Sequence, residues 1–416
     1  MILAYGLSEV NQFKGMMIED EAYQHLQRLA VDIGSRTIGS PGNLAAAQYI
    51  QSSFESHQLS VEQQEFLCPD WAELETSLEL SGELMEASAN TFSPSCELAA
   101  ATVPVGTLAE LEQASISGRI PVFYGSLAQS EIAAKGAIYV SERDRRIVQL
   151  LEERHPSGLI TVNPTLHGRW RLVEDFDLDL PSVTVSARSG LELLKRPGES
   201  VHMKIITRRL ASKSANVIAR LAGDSPEKIV LCAHYDTKVD TPGAYDNAAG
   251  VAALLTLVSC LAGPGHPPYR HTLEWVAFSG EEIYGLGDME YARRTGNGFD
   301  RIVAAINFDG IGPLVASNSI ATFAASIPFT EMVARLASGY PGVAQVNPWP
   351  ASDHYIFYSN KAPSIAMSSV GIRDIYHTPE DTIDWISPAR LGEAVSLALD
   401  IVRALDEKDL AWCRPT

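Results

Sequence analysis

From Ser214 to the carboxyl end, short and nearly unbroken apolar runs alternate with longer stretches that repeat apolar residues at helical spacing. The runs are EKIVLCAHYD, HTLEWVAFSG, RIVAAINFDG and APSIAMSS. They predict strands buried on both faces, as in a sheet covered by helices on each side. AAGVAALLTLVSCLAG, YGLGDMEYARRTG and TEMVARLASG predict the helices between them. The last segment, SPARLGEAVSLALDIVRALDEKD, starts on Ser387-Pro388 and carries an apolar stripe through Leu391, Val395, Leu399 and Val402. That stripe predicts an amphipathic terminal helix packed on the sheet. Near the amino end, Glu19 to Ser56 predicts two helices. The first carries Tyr23, Leu26, Leu29, Ala30 and Ile33 at helical spacing, and the second follows a Ser40-Pro41-Gly42 start.

The texture differs from about Leu80 to Thr207. RIPVFYG, GAIYVSE, GLITVN, PSVTVSA and VHMKIIT read as short strands, and LAQSEIAAK, RDRRIVQLLEERH and SGLELLK as short helices. The expectation is an α/β protein with a mixed, mostly parallel central sheet covered by helices on both faces. Residues 1–79 and 208–416 would form this domain, and residues 80–207 a smaller inserted α/β or β-rich domain. A length of 416 residues suits two or three domains at roughly 150 residues each.

Composition narrows the partners. Acidic residues outnumber basic ones, 51 against 32, for a net charge of −19, and no Lys/Arg-rich run offsets that balance. Nucleic acid and anionic membrane surfaces are therefore poor partners. The five cysteines (Cys68, Cys96, Cys232, Cys260 and Cys413) lack C-x-x-C spacing, which argues against a disulfide framework or a thiolate zinc site. The amino terminus lacks a basic stretch followed by a sustained apolar one, so the expected location is cytoplasmic. The longest apolar run, near Val251–Ala262, is too short to span a bilayer.

Candidate chemistry collects at the strand ends, where open α/β sheets place their sites. EKIVLCA leads into His234-Tyr235-Asp236, and a turn later Tyr245-Asp246-Asn247 opens a helix. TLEWVAF leads into Ser279-Gly280-Glu281-Glu282 and IVAAINF into Asp309; Tyr376-His377-Thr378-Pro379-Glu380-Asp381-Thr382 follows later. Singly, each residue has an ordinary structural reading. Asp246 can serve as a helix N-cap and Asp309 as a turn residue. Two imidazoles and three carboxylates at successive strand ends are instead the mixed nitrogen and oxygen donors that Zn²⁺ accepts.

In order, spacing and neighbours, these motifs resemble the M28 family of zinc aminopeptidases over roughly residues 214–407 plus the amino-terminal helices. The inserted segment is similar to a protease-associated domain. The resemblance implies two zinc ions per chain. His234 and Asp309 would hold one, Glu282 and His377 the other, with Asp246 bridging both. It also implies Glu281 as general base and Asp236 as the carboxylate that orients His234. The family commonly has two consecutive aspartates at the bridging position, whereas Tyr245 precedes Asp246 here.

Ser352, Asp353, His354 and Tyr355 resemble a family stretch that lines the substrate cleft. As contiguous residues they cannot converge as a nucleophilic triad, and neither a G-x-S-x-G elbow nor an H-E-x-x-H helix occurs. The implied substrates are peptides with a free amino terminus. A carboxypeptidase or dipeptidase on the same scaffold is the alternative, with Arg373 as a candidate clamp for a carboxylate. A non-catalytic receptor and a one-zinc cyclase fit less well, because no ligand of the pair is broken. Nothing in the sequence fixes the oligomeric state.

Overall fold

The computed structural model describes residues 15–415 except Met16, Tyr139, residues 166–170, Pro264, Pro267, Arg373 and Asp374. The chain divides into two compact units. One comprises residues up to Phe66 and from Ser214 onward, and the other spans Leu67–Lys213. These boundaries differ from the 79/80 and 207/208 expected from texture. The chain changes units inside two continuous strands, Ser60–Leu80 and Ser200–Leu221, so no turn residue marks either crossing.

The larger unit opens with helical residues 17–33, followed by helix α1 (Pro41–Ser56), whose first turn is capped by the Ser40 side chain. Its sheet is built from β1 (Ser200–Leu221, from Ser214 onward), β2 (Ser225–His234), β3 (His271–Phe278), β4 (Ile302–Phe308), β5 (Ser317–Phe323), β6 (Val343–Gln345) and β7 (Ser364–Val370). The strand order is β6-β5-β7-β4-β2-β3-β1. Pairs β6/β5, β7/β4, β4/β2 and β2/β3 are parallel, while β5/β7 and β3/β1 are antiparallel. This is the mixed, mostly parallel sheet that the apolar runs predict.

Helices α2 (Ala249–Ala262), α3 (Leu286–Thr295), α4 (Ile327–Ala337), α5 (His354–Ser359), α6 (Pro388–Asp406) and α7 (Leu410–Cys413) belong to the same unit. Nearly every residue of α2 is buried, because it packs against β2 and α6. Residues 244–262 are long and apolar enough to cross a membrane, yet 89% of that stretch is buried inside the fold. It is a core helix, with no polar face left for solvent. The Ser387 side chain caps α6, whose apolar stripe joins the same core.

The smaller unit has its own core, around Leu111, Phe123, Ile147, Leu151 and Leu159. Cys96–Val105, Ile120–Phe123, Leu159–Val162 and Ser182–Val185 form its parallel strands. The helix-like segment LAQSEIAAK is not helical here. Ile132–Ala133 pairs with Val173–Glu174 instead, and burying Ile132 outweighs local propensity. GAIYVSE forms no strand among its described residues. Its last part serves the following helix, Glu142–Arg154, which the Ser141 side chain caps.

One buried ion group braces the sheet. Glu274 on β3 is fully buried; it accepts from Arg220, from Lys228 Nζ at 3.0 Å and from Tyr291 Oη at 2.7 Å. Burial opposes its ionisation, but Lys228 and Arg220 hold it below the ordinary carboxylate range. A depressed acid stabilises the fold above its unfolded pKa of about 4.3 and loses that contribution as pH falls through its folded value. Replacing Glu274 with Gln should cost about 2 kcal/mol near neutral pH, as expected for charge-assisted hydrogen bonds. Thermal unfolding of both proteins should show the gap closing on acidification below about pH 4. A gap that stays constant would mean Glu274 acts by shape alone.

Candidate metal centre

The parallel strands end side by side, and their carboxyl ends carry the site. His234 is the last residue of β2, Ser279–Glu282 follow β3 directly, and Asp309 follows β4. Asp246 lies between β2 and α2, and His377 between β7 and α6. The fold brings these five together as two trios, His234–Asp246–Asp309 and Asp246–Glu282–His377. Within each trio, one atom from each residue lies within 4.8 Å of the others.

Asp246 belongs to both. Its Oδ1 is 3.3 Å from His234 Nε2, and its Oδ2 is 3.2 Å from His377 Nε2. His234 Nε2 is also 3.5 Å from Asp309 Oδ1, and His377 Nε2 is 3.2 Å from Glu282 Oε2. Imidazole nitrogen with carboxylate oxygen is a donor set that suits Zn²⁺.

Hydrogen bonds to the backbone hold the segments that present Asp246 and Glu282. Asp381 accepts from Tyr245 N at 2.7 Å and from Asp246 N at 3.0 Å, which holds the peptide that presents Asp246. Asn247 Oδ1 accepts from Gly250 N at 3.0 Å, while its Nδ2 donates to Phe308 O at 2.7 Å. Asn247 therefore does the capping work that Asp246 would otherwise do, and it ties the start of α2 to the end of β4. Gly250 is the residue that permits this approach, since a Cβ there would stand 2.4 Å from both Asn247 Oδ1 and Phe308 O.

Asp236 is fully buried and has two tasks. Its backbone carbonyl lies 3.2 Å from His234 Nδ1, nearer than its carboxylate at 3.7 Å. The carboxylate oxygens accept from Glu281 N and Glu282 N, each at 3.3 Å. Lys238 Nζ donates to Glu282 O at 2.9 Å. The Arg36 guanidinium, also fully buried, donates to the carbonyls of Leu29, Gly34, Tyr235, Pro242 and Gly243 at 2.7–3.1 Å. Burial pulls its pKa down to about 10, against the field of Asp381, Asp236 and Asp246.

The electrostatics divide the two adjacent glutamates from Asp246. Burial drives Glu281 well above the ordinary carboxylate range, helped by Glu282 and Asp309. Burial also works against an ionised Asp246, but hydrogen bonds with His234 and His377 hold it well below that range. Burial lowers His234 in turn, and its bonds to Asp236, Asp246 and Asp309 more than reverse this.

The segment Ser352–Tyr355 points mostly inward. Ser352, Asp353 and His354 are buried, and Tyr355 is half-buried. Asn307 Nδ2 donates to Ser352 Oγ at 2.8 Å, and His354 Nε2 lies 2.9 Å from Trp349 O. Arg373 lies outside the described residues. Sequence reasoning did not single out Asp381, Arg36, Lys238 or Asn307. Asp381 carried a signal in Tyr-His-Thr-Pro-Glu-Asp; Lys238, Asn307 and three of the five carbonyls around Arg36 find their partners far along the chain.

Known proteins share sequence and fold with this chain. The chain is 22% identical over 404 residues to aminopeptidase YwaD of Bacillus subtilis, covering 93% of this chain and 85% of that one. Its fold matches the crystal structure of a zinc aminopeptidase from Bacillus subtilis with a TM-score of 0.76, at 21% identity over 95% of this chain and 98% of that one. It likewise matches a peptidase M28 precursor from Shewanella amazonensis with a TM-score of 0.78, at 20% identity over 96% and 98%. Residues 216–402, which contain all five residues of the two trios, match the model of peptidase family M28.

Proposed function

We propose that this protein is an aminopeptidase that works with two zinc ions per chain. The observation that carries the reading is the shared carboxylate: Asp246 offers one oxygen to each trio. His234 and Asp309 would hold one ion, and Glu282 and His377 the other. Three carboxylates in a half-dry cleft are costly unless cations compensate them. Two divalent ions do so, whereas Lys238 Nζ, 3.7 Å from Glu282 Oε2, supplies one charge. Bound there, the zinc ions bring Lewis acidity to a water molecule and to the scissile carbonyl.

The chain's own groups do the rest. Glu281, whose backbone is held by Asp236, takes a proton from the attacking water and passes it to the departing amine. Its raised affinity for a proton suits that exchange. Asp236 keeps Glu281 and Glu282 in register with each other, so one works as base while its neighbour holds metal. The acidic cleft favours the ammonium of a peptide's free amino terminus. Residues 80–207, within the smaller unit, form an accessory module, similar to a protease-associated domain, that influences which peptides are accepted.

Two experiments test this reading. Glu281→Gln should retain two zinc ions by metal analysis and lose roughly 10²–10⁴-fold in turnover. Glu282→Gln should lose zinc from the wild-type content. The reverse pattern would exchange the roles of base and ligand.

Substrate polarity is the second test. Among one peptide with a free amino terminus, its acetylated form and a form blocked at the carboxyl end, the free and carboxyl-blocked peptides should be cleaved. The acetylated peptide should be slower by orders of magnitude. Equal cleavage of the free and acetylated forms would remove the aminopeptidase assignment and leave the two-zinc hydrolase standing.

A further inference from the structure

Three carboxylate oxygens inside the larger unit have no hydrogen-bond donor among the described residues: Oδ2 of Asp288 and both oxygens of Asp353. Asp288 is 3% exposed and Asp353 0%. Asp288 sits in the first turn of α3, and Asp353 immediately precedes α5; the two helices pack together. The two carboxyls are within hydrogen-bonding reach of each other. Neither belongs to the two metal-binding trios.

The charged surroundings do not explain two ionised groups there. His234 favours the charged form of both. Asp236 opposes it at Asp288, and Glu281 and Asp309 oppose it at Asp353. The Cys232 thiol lies in the same field and is itself pushed well up by burial. Two dry carboxylates in contact repel each other and lose their hydration. A single proton between them converts that repulsion into a charge-assisted O–H···O⁻ hydrogen bond.

We propose that Asp288 and Asp353 share one proton and that this bond pins the head of α5 to α3, positioning Asp309 from behind. The path is short. Asp353 lies between Ser352 and His354, and Asn307 Nδ2 donates to Ser352 Oγ at 2.8 Å and lies 3.4 Å from His354 Nδ1. Asn307 is two residues before Asp309 on the same strand end. Asp288 and Asp353 are thus positioning residues, acting through Ser352, His354 and Asn307. Burial agrees with the shared proton, since it raises Asp353 well above the carboxylate range and Asp288 to about 7.

The test uses the zinc-loaded full chain and the variants Asp288→Asn, Asp353→Asn and the double Asn variant. Infrared spectra at pH 8 report neutral carboxylic acids through their carbonyl stretch. Burial also raises Glu281, so wild-type minus variant difference spectra make the assignment. The difference spectrum should contain one neutral-acid band in each case, and either single variant suffices if the double one fails to fold. Difference spectra without that band overturn the shared proton.

The positioning role rests on the peptidase reading and is tested by the pH profile of kcat/KM. Wild type should lose activity at alkaline pH as the pair gives up its proton. In the single variants an amide supplies a permanent donor, and that limb should move up by about one pH unit or more. An unmoved limb in variants that have lost the band overturns the positioning role. Absence of peptidase activity in the wild type would instead count against the function, leaving the infrared result to decide the proton.

Discussion

Asp246 faces two ways, and most of the surrounding construction serves that one geometry. For its two oxygens to reach His234 and His377 at once, the backbone at Tyr245–Asn247 must hold its course in a stretch where the dihedral angles are not helical. Asp381 supplies the grip, because one carboxylate accepts two consecutive N–H groups. Charge-assisted bonds of this kind are stronger than neutral ones. Asn247 then anchors the same turn to the end of β4, so the loop that carries Asp246 cannot shift without disturbing the strand that presents Asp309.

A similar economy governs the opposite wall. Asp236 holds the backbone of Glu281 and Glu282 with one carboxylate, and its own carbonyl meets the His234 ring. An acid of this kind, buried and saturated by backbone donors, is rigid. The glutamate side chains that project from the loop inherit that rigidity and differ only in what they face. Glu282 turns to His377 and Lys238, whereas Glu281 faces neither and keeps its proton affinity.

Much of this was legible in the sequence, for a physical reason. Strands buried on both faces are written as unbroken apolar runs, and a ligand-type residue at the end of such a run stands out against it. His234, Glu282 and Asp309 are visible in this way. What escaped detection depends on partners far along the chain. LAQSEIAAK has helical composition, yet Ile132 gains more from pairing near Val173. Ser352, Asp353 and His354 look polar and accessible in sequence, but their side chains are turned inward. Arg36 sits in a Gly/Ser-rich loop, and nothing local reveals that five carbonyls await it.

That arginine also constrains how the protein is made. Two of its five acceptors, Leu29 and Gly34, emerge from the ribosome beside it, while Tyr235, Pro242 and Gly243 come some two hundred residues later, by the loop numbering. Until then the guanidinium stays hydrated, because burying it without its full ring of acceptors is prohibitive. The amino-terminal helices therefore cannot close over the sheet early in synthesis. Their final packing around Arg36 waits until Tyr235, Pro242 and Gly243 have been translated, so it is a late event of vectorial folding.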